Sequence, residues 1–154
     1  MSDSTEPPAP EFVLDTSFLI DLKNGYPEES FPSLWTKFNT LCEVDIIISA
    51  REVRREIEDG SDSLVQWVKE RPSMFMTPLP EEAALVGRLL TENPNWVDPA
   101  GVKAQADPFV LAMAKVRGLP LLSHDRKQLL HVARILDVKC IKIPEFIAQQ
   151  GWKF

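Results

Sequence analysis

Three carboxylates, Asp15, Asp107 and Asp125, stand where elements of this chain are expected to begin or end, and a fourth, Glu56, lies about two turns into the helix that follows the second strand. Asp15 follows the apolar run Phe12-Val13-Leu14, and Asp125 follows Leu121-Leu122-Ser123-His124. In one cleft, like charges would repel and raise one another's pKa unless cations neutralised them. Hard oxygen donors, in a chain with 2 histidines, suit Mg²⁺ or Mn²⁺ rather than zinc. Such a site can polarise a phosphate, activate a water and clamp an in-line displacement. The four acids are far apart in sequence, so only folding can bring them together.

Each acid also has an ordinary reading. Asp15-Thr16-Ser17 could simply cap the helix that follows. Asp107 before Pro108 has the pattern of an N-cap with proline at the first helical position. Asp125, beside Arg126 and Lys127, could be a loop acid. Glu56 competes with Glu52, one turn earlier on the same helix face. The stretch Ser49-Ala50-Arg51-Glu52 has capping-box spacing, which occupies Glu52 and leaves Glu56 for a ligand.

The elements that must position these residues alternate between strand and helix. Residues 11–14 read as a buried strand and 17–22 as a short helix closed by Asn24-Gly25 and Pro27. From 31 to 43, Leu34, Trp35, Phe38, Leu41 and Cys42 fall on one face of an amphipathic helix. Ile46-Ile47-Ile48 is a second strand, followed by a helix to Asp59 and another from 62 to 71. Met74-Phe75-Met76 reads as a short edge strand, limited by Pro78 and Pro80. Helices are expected at 80–91, 106–117 and 128–136, with Gly118 stopping the second of these. Strands at 119–122 and 138–143 and a last helix at 144–150 complete the pattern. Residues 93–105 read as a loop or short helix anchored by Trp96. Buried strands without polar alternation favour an α/β fold with a mainly parallel sheet. In such sheets ligands bind at the carboxyl ends of the strands, where Asp15 and Asp125 stand.

Composition narrows the classes. The chain has 154 residues, of which 44% are hydrophobic, enough for one domain with a core that needs neither disulfide nor metal. Residues 1–10 are rich in Ser, Pro and acid and read as a disordered tail before a single domain at 11–154. No apolar run approaches the roughly 18 residues that span a bilayer, and the N-terminus lacks the basic and apolar segments of a signal peptide. Cys42 and Cys140 have no CxxC spacing, so the expectation is a cytoplasmic protein with reduced thiols. Seventeen Lys and Arg against 23 Asp and Glu give a net charge of −6. An acidic chain either avoids nucleic acid or meets phosphate through bound cations and local basic patches. The candidates for such patches are Arg51, Arg54 and Arg55 near Glu56, and Arg126 and Lys127 near Asp125.

Taken in order, Asp15-Thr16-Ser17, the helical Glu56, Ala106-Asp107-Pro108 and Ser123-His124-Asp125, each within a β/α unit, resemble a PIN domain over residues 11–154. The likeness extends to a PIN-like subfamily that ends in a short helix and Gly151-Trp152. The resemblance implies a three-layer α/β/α fold with a central parallel sheet. It also implies a Mg²⁺- or Mn²⁺-dependent endoribonuclease that leaves 5′-phosphate and 3′-hydroxyl ends. Members of this kind are often VapC-like toxins of toxin–antitoxin pairs. By that likeness Asp15, Glu56, Asp107 and Asp125 would be the catalytic metal ligands, Asp125 directly or through water. Ser17 and Ser123 would orient a ligand or water by hydrogen bonds. Arg51, Arg55, Arg126 and Lys127 would contact RNA. The expected partners are a cognate antitoxin, such as a helix-turn-helix DNA-binding protein, and a second copy of the chain, for which Leu34, Trp35 and Phe38 could serve as easily as for the core. The rival readings are a catalytically silent PIN-like interaction module and a structure-specific DNA nuclease. His124 reads as a solvent-exposed loop residue.

Overall fold

The computed structural model describes residues 9–60, 63–96, 106–124 and 127–154. Asp125 and Arg126, residues 1–8 of the expected tail, the start of the 62–71 helix and residues 97–105 of the expected loop lie outside them.

Among the described residues, five short strands form one sheet: β1 (Phe12–Leu14), β2 (Ile47–Ala50), β3 (Phe75–Met76), β4 (Leu121–Leu122) and β5 (Cys140–Ile141). Every pairing is parallel, and the order across the sheet is β3-β2-β1-β4-β5. The chain therefore builds outward from β1 on one side, then returns to add β4 and β5 on the other. This makes the gap between β1 and β4 the switch point where a parallel sheet opens a crevice at its carboxyl edge. Val13 is the pivot, paired with Ile48 on one side and Leu121 on the other.

The helices are α1 (Thr16–Gly25), α2 (Pro32–Glu43), α3 (Arg51–Asp59), α4 (Leu64–Lys69), α5 (Pro80–Glu92), α6 (Asp107–Arg117), α7 (Lys127–Ile135) and α8 (Ile143–Gln150). They flank the sheet in an α/β/α arrangement. On one side α6 lies across β1, β2 and β4, burying Val110, Leu111, Ala112, Met113 and Ala114, with α5 and α7 packed against it. It stops at Gly118, whose φ of 68° is costly for any residue with a Cβ. Elsewhere an aromatic cluster ties α1, α2 and α8 to β1. Phe146 meets Phe12, Phe18 and Phe38 edge-on at 5.2, 5.7 and 6.3 Å between ring centroids. Such contacts contribute about 0.5–1.5 kcal/mol each beyond the area they bury. Leu34, Trp35 and Phe38 are all buried in this core, so they are not available as a dimer face.

The capping box expected at Ser49 does not form. Ser49 is still within β2, and its hydroxyl donates to the carbonyl of Leu14 at 2.6 Å, tying the end of β2 to the end of β1. The cap position of α3 is Ala50, without a side-chain bond, so the helix springs straight from the strand. Among the described residues no helix is long and apolar enough to cross a membrane.

Candidate functional site

Asp15 closes β1 and caps α1, its side chain accepting from the backbone N–H of Ser17 at 3.3 Å. The capping and site readings thus fall on one side chain. Asp15 is fully buried, with 0% exposure. Its Oδ2 also accepts from the Ser17 hydroxyl and, at 3.2 Å, from the Ser123 hydroxyl at the end of β4. The two serines reach across the switch point, with their oxygens 3.5 Å apart. Ser17 in turn accepts from the backbone N–H of His124 at 3.0 Å. Three donors therefore converge on one oxygen of Asp15. The other, Oδ1, is buried and has no hydrogen-bond partner among the described residues.

Glu56, in the second turn of α3, reaches the same edge. Its Oε1 accepts from the Thr16 hydroxyl at 2.6 Å, and its Oε2 from the backbone N–H of Ala106 at 3.0 Å. Thr16 follows Asp15 and Ala106 precedes Asp107, so one carboxylate links the neighbours of two others. Asp107 is half-buried and does not cap α6. The cap position belongs to Ala106, whose carbonyl accepts from Phe109 and Val110. Asp107 occupies the first helical position instead, so the helix starts one residue earlier than the Asp-Pro pattern implies, and the Ala106 N–H is satisfied by Glu56. A carboxylate there is stabilised by the positive end of the helix.

The structure revises two other expectations. Glu52 has no capping role. It is buried, with Oε2 3.1 Å from Arg51 Nε and 3.9 Å from Arg55 Nη1, while Oε1 has no partner among the described residues. Arg51 and Arg55 keep 43% and 59% of their side-chain surface exposed, so both still reach solvent. His124 is half-buried, not a free loop residue, and its Nδ1 lies 2.8 Å from Asp21 Oδ2. Asp21 stands one helical turn beyond Ser17, on the same face of α1. That i,i+4 spacing was the available signal for Asp21; nothing local marks Thr16 as the partner of Glu56 or Ser49 as the partner of Leu14. Lys127 is exposed at the start of α7. Asp125 and Arg126 fall outside the described residues.

On the edge strand beyond β4, Cys140 registers the charge at this site. Burial pushes its thiol up to about 11, the negative charge of Asp15 adds to the rise, and Arg134 opposes it. Both cysteines are free thiols.

The family model described as Domain of unknown function (DUF4411) matches residues 12–154. The chain belongs to that family. No curated protein matches it. The DUF4411 match begins at the first residue of β1 and so takes in every element that carries the site.

Whether this edge suits a divalent cation is a matter of donor chemistry. Among the described residues no group of three or more His, Cys, Asp and Glu side chains could hold a metal ion. The donors that do meet here are nevertheless hard oxygens, and a buried carboxylate oxygen without a hydrogen-bond donor suits a cation better than any neutral group. In this DUF4411 domain Asp15 meets that requirement. Glu56 does not offer an unengaged oxygen.

Proposed function

We propose that this domain is a divalent-metal-dependent endoribonuclease of PIN-like type. The observation that carries the proposal is the buried, half-satisfied carboxylate of Asp15 at the sheet's switch point. A fold gains nothing from an unpaired buried charge, whereas a site that takes up a cation needs one. Asp15 and Asp107 would hold Mg²⁺ or Mn²⁺, with Asp125 as the further ligand that the PIN resemblance implies. A bound divalent cation supplies positive charge that stabilises the phosphate as charge builds on its oxygens.

The chain's own residues have defined tasks in this reading. Ser17 and Ser123 hold one oxygen of Asp15 and so leave the other, which has no hydrogen-bond partner among the described residues, for a cation. Glu56 fixes the starts of α1 and α6. Arg51, Arg55 and Lys127 have exposed side chains near this edge and would meet RNA phosphates. With a net charge of −6, the protein needs both the cation and these local bases to approach a polyanion.

The test is cleavage of single-stranded RNA by the purified protein with Mn²⁺, set beside Asp15→Asn and Asp107→Asn. Activity in the wild type and its loss in both folded variants supports the assignment; full activity in both removes it. The wider proposal is a cytoplasmic toxin neutralised by an antitoxin, acting as a homodimer. Growth arrest on expression, relieved by the product of a neighbouring gene, supports it. Absence of toxicity at high expression of a protein active in vitro overturns it.

A further inference from the structure

We infer that Glu56 is a positioning residue: it sets Asp15 and Asp107 relative to one another through its two hydrogen bonds, and it is not a metal ligand. The inference rests on the nuclease reading above for its functional part, and on hydrogen-bond geometry for the rest.

Both Glu56 oxygens are committed, one to each element that carries a candidate ligand. The Thr16 hydroxyl reaches Oε1 at 2.6 Å across 40 residues of sequence, and the Ala106 N–H reaches Oε2 at 3.0 Å across 50. Thr16 and Ala106 are themselves buried, at 4% and 0% exposure. Removing the carboxylate would therefore strand a hydroxyl and a backbone N–H away from water, which destabilises the fold at both helix starts. The Ala106 N–H lies just before the first turn of α6, where helices leave donors without intrahelical partners. Glu56 thus does for α6, at long range, what a local cap does elsewhere. With it in place, the starts of α1 and α6 keep a fixed separation, and Asp15 and Asp107 are each one residue from an anchored atom. Asp15 offers a contrast: its Oδ1 has no hydrogen-bond partner among the described residues.

A metal ligand must keep its charge, whereas a positioning residue must keep its hydrogen bonds, and both Glu56 oxygens are committed to hydrogen bonds. Substitution separates the two roles. Glu56→Gln keeps both bonds: its amide oxygen accepts from Ala106, and its NH₂ donates to the Thr16 hydroxyl, which can accept as well as donate. The charge is lost but the brace is kept. Glu56→Ala loses both.

The experiment uses the full chain, with Mn²⁺ calorimetry, RNA cleavage and thermal unfolding on the wild type, Glu56→Gln, Glu56→Ala, Thr16→Val and Thr16→Val/Glu56→Ala. A positioning role predicts that Glu56→Ala loses cleavage by about 10–100-fold, the range for residues that orient ligands, and that Glu56→Gln recovers most of it with a Mn²⁺ affinity close to wild type. Equal loss of Mn²⁺ affinity in Gln and Ala variants overturns the inference and makes Glu56 a ligand. The unfolding cycle stands apart from catalysis. A double variant less destabilised than the sum of its singles upholds the brace, and strict additivity overturns it. If the wild type neither binds Mn²⁺ nor cleaves RNA, the nuclease reading falls, and the cycle still decides the brace.

Discussion

Two buried carboxylates in this domain are treated in opposite ways. Glu82 on α5 is 1% exposed, and Asp15 at the end of β1 is 0% exposed. Glu82 meets the guanidinium of Arg117 on α6, Nε to Oε2 at 2.7 Å, while its Oε1 accepts from the backbone N–H of Leu79 at 3.2 Å. Its charge is balanced, both oxygens are occupied, and the result is a clamp between two packed helices. Asp15 receives two hydroxyls and an N–H on one oxygen, nothing on the other, and no cation among the described residues. Isolated buried charge is costly, and folds normally neutralise it, as this one does at Glu82. Leaving Asp15 unbalanced at the sheet's switch point makes sense if the missing charge comes from outside the chain.

The comparison breaks most visibly at Asp15 itself. Asp15→Asn should reduce Mn²⁺-dependent RNA cleavage by about a thousandfold, because losing cation-mediated stabilisation of the transition state is a matter of several kcal/mol. Its stability to urea should be no lower than wild type, since the substitution removes an unbalanced charge. Saturating Mn²⁺ should raise the unfolding temperature of the wild type and leave that of Asp15→Asn unchanged. An Asp15→Asn protein that unfolds readily would mean that the carboxylate is as structural as Glu82.

The opposite response is expected at the clamp. Arg117→Ala leaves Glu82 buried without its cation, and breaking such a pair costs about 3–5 kcal/mol. The Arg117 side chain is 22% exposed, which places the loss near the lower end. Urea unfolding measures it. Replacing both partners, Glu82→Leu with Arg117→Met, should cost much less, because no charge is stranded. Per folded molecule, cleavage should be unaffected in both variants.

A smaller effect sharpens the Asp15 side of the contrast. Ser123→Ala removes one of the three donors on Oδ2, leaves Ser17 to hold the group, and should lower cleavage by about 10–100-fold. Single-turnover rates at saturating Mn²⁺ separate this from weaker metal binding. An unchanged rate would show that Ser17 and the helix cap orient Asp15 without help.

Much of this arrangement is written locally. Apolar runs ending at Asp15 and Ser123 mark β1 and β4, and their parallel pairing alone brings those residues to one edge. The core stripe of α2 is equally legible, since Leu34, Trp35 and Phe38 repeat at helical spacing. What stays hidden depends on partners distant in sequence. Ser49 has capping-box spacing, but its hydroxyl bonds to Leu14 because β2 lies beside β1. Asp107 has a cap's neighbours but loses the role to Ala106, whose N–H is satisfied by Glu56 from another helix. His124 looks like a loop residue until α1 brings Asp21 to its ring. In each case the local pattern was present, and a long-range hydrogen bond or ion pair outcompeted it.

The smallest expected effect uses a thiol already in the fold as a gauge of the Asp15 charge. Cys140 is held up at about 11 against an ordinary 9.0, by burial first and by Asp15 second, with Arg134 opposing. A thiol raised in this way favours the fold while protonated. Its contribution is complete below about pH 9 and is lost as the pH rises toward 11. Asp15→Asn removes the second cause and leaves the first, so the Cys140 pKa should fall and still lie above its ordinary value. Because the thiolate is the nucleophile, alkylation by iodoacetamide between pH 9 and 10 should be a few-fold faster in Asp15→Asn than in the wild type. Cys42 adds little background, since complete burial pushes its thiol far above the assay range. Saturating Mn²⁺ on the wild type should accelerate the same reaction, because a cation beside Asp15 cancels the charge that Cys140 feels. Identical alkylation rates in all three samples would mean that Asp15 carries no effective charge in the fold, and its contrast with Glu82 would then disappear.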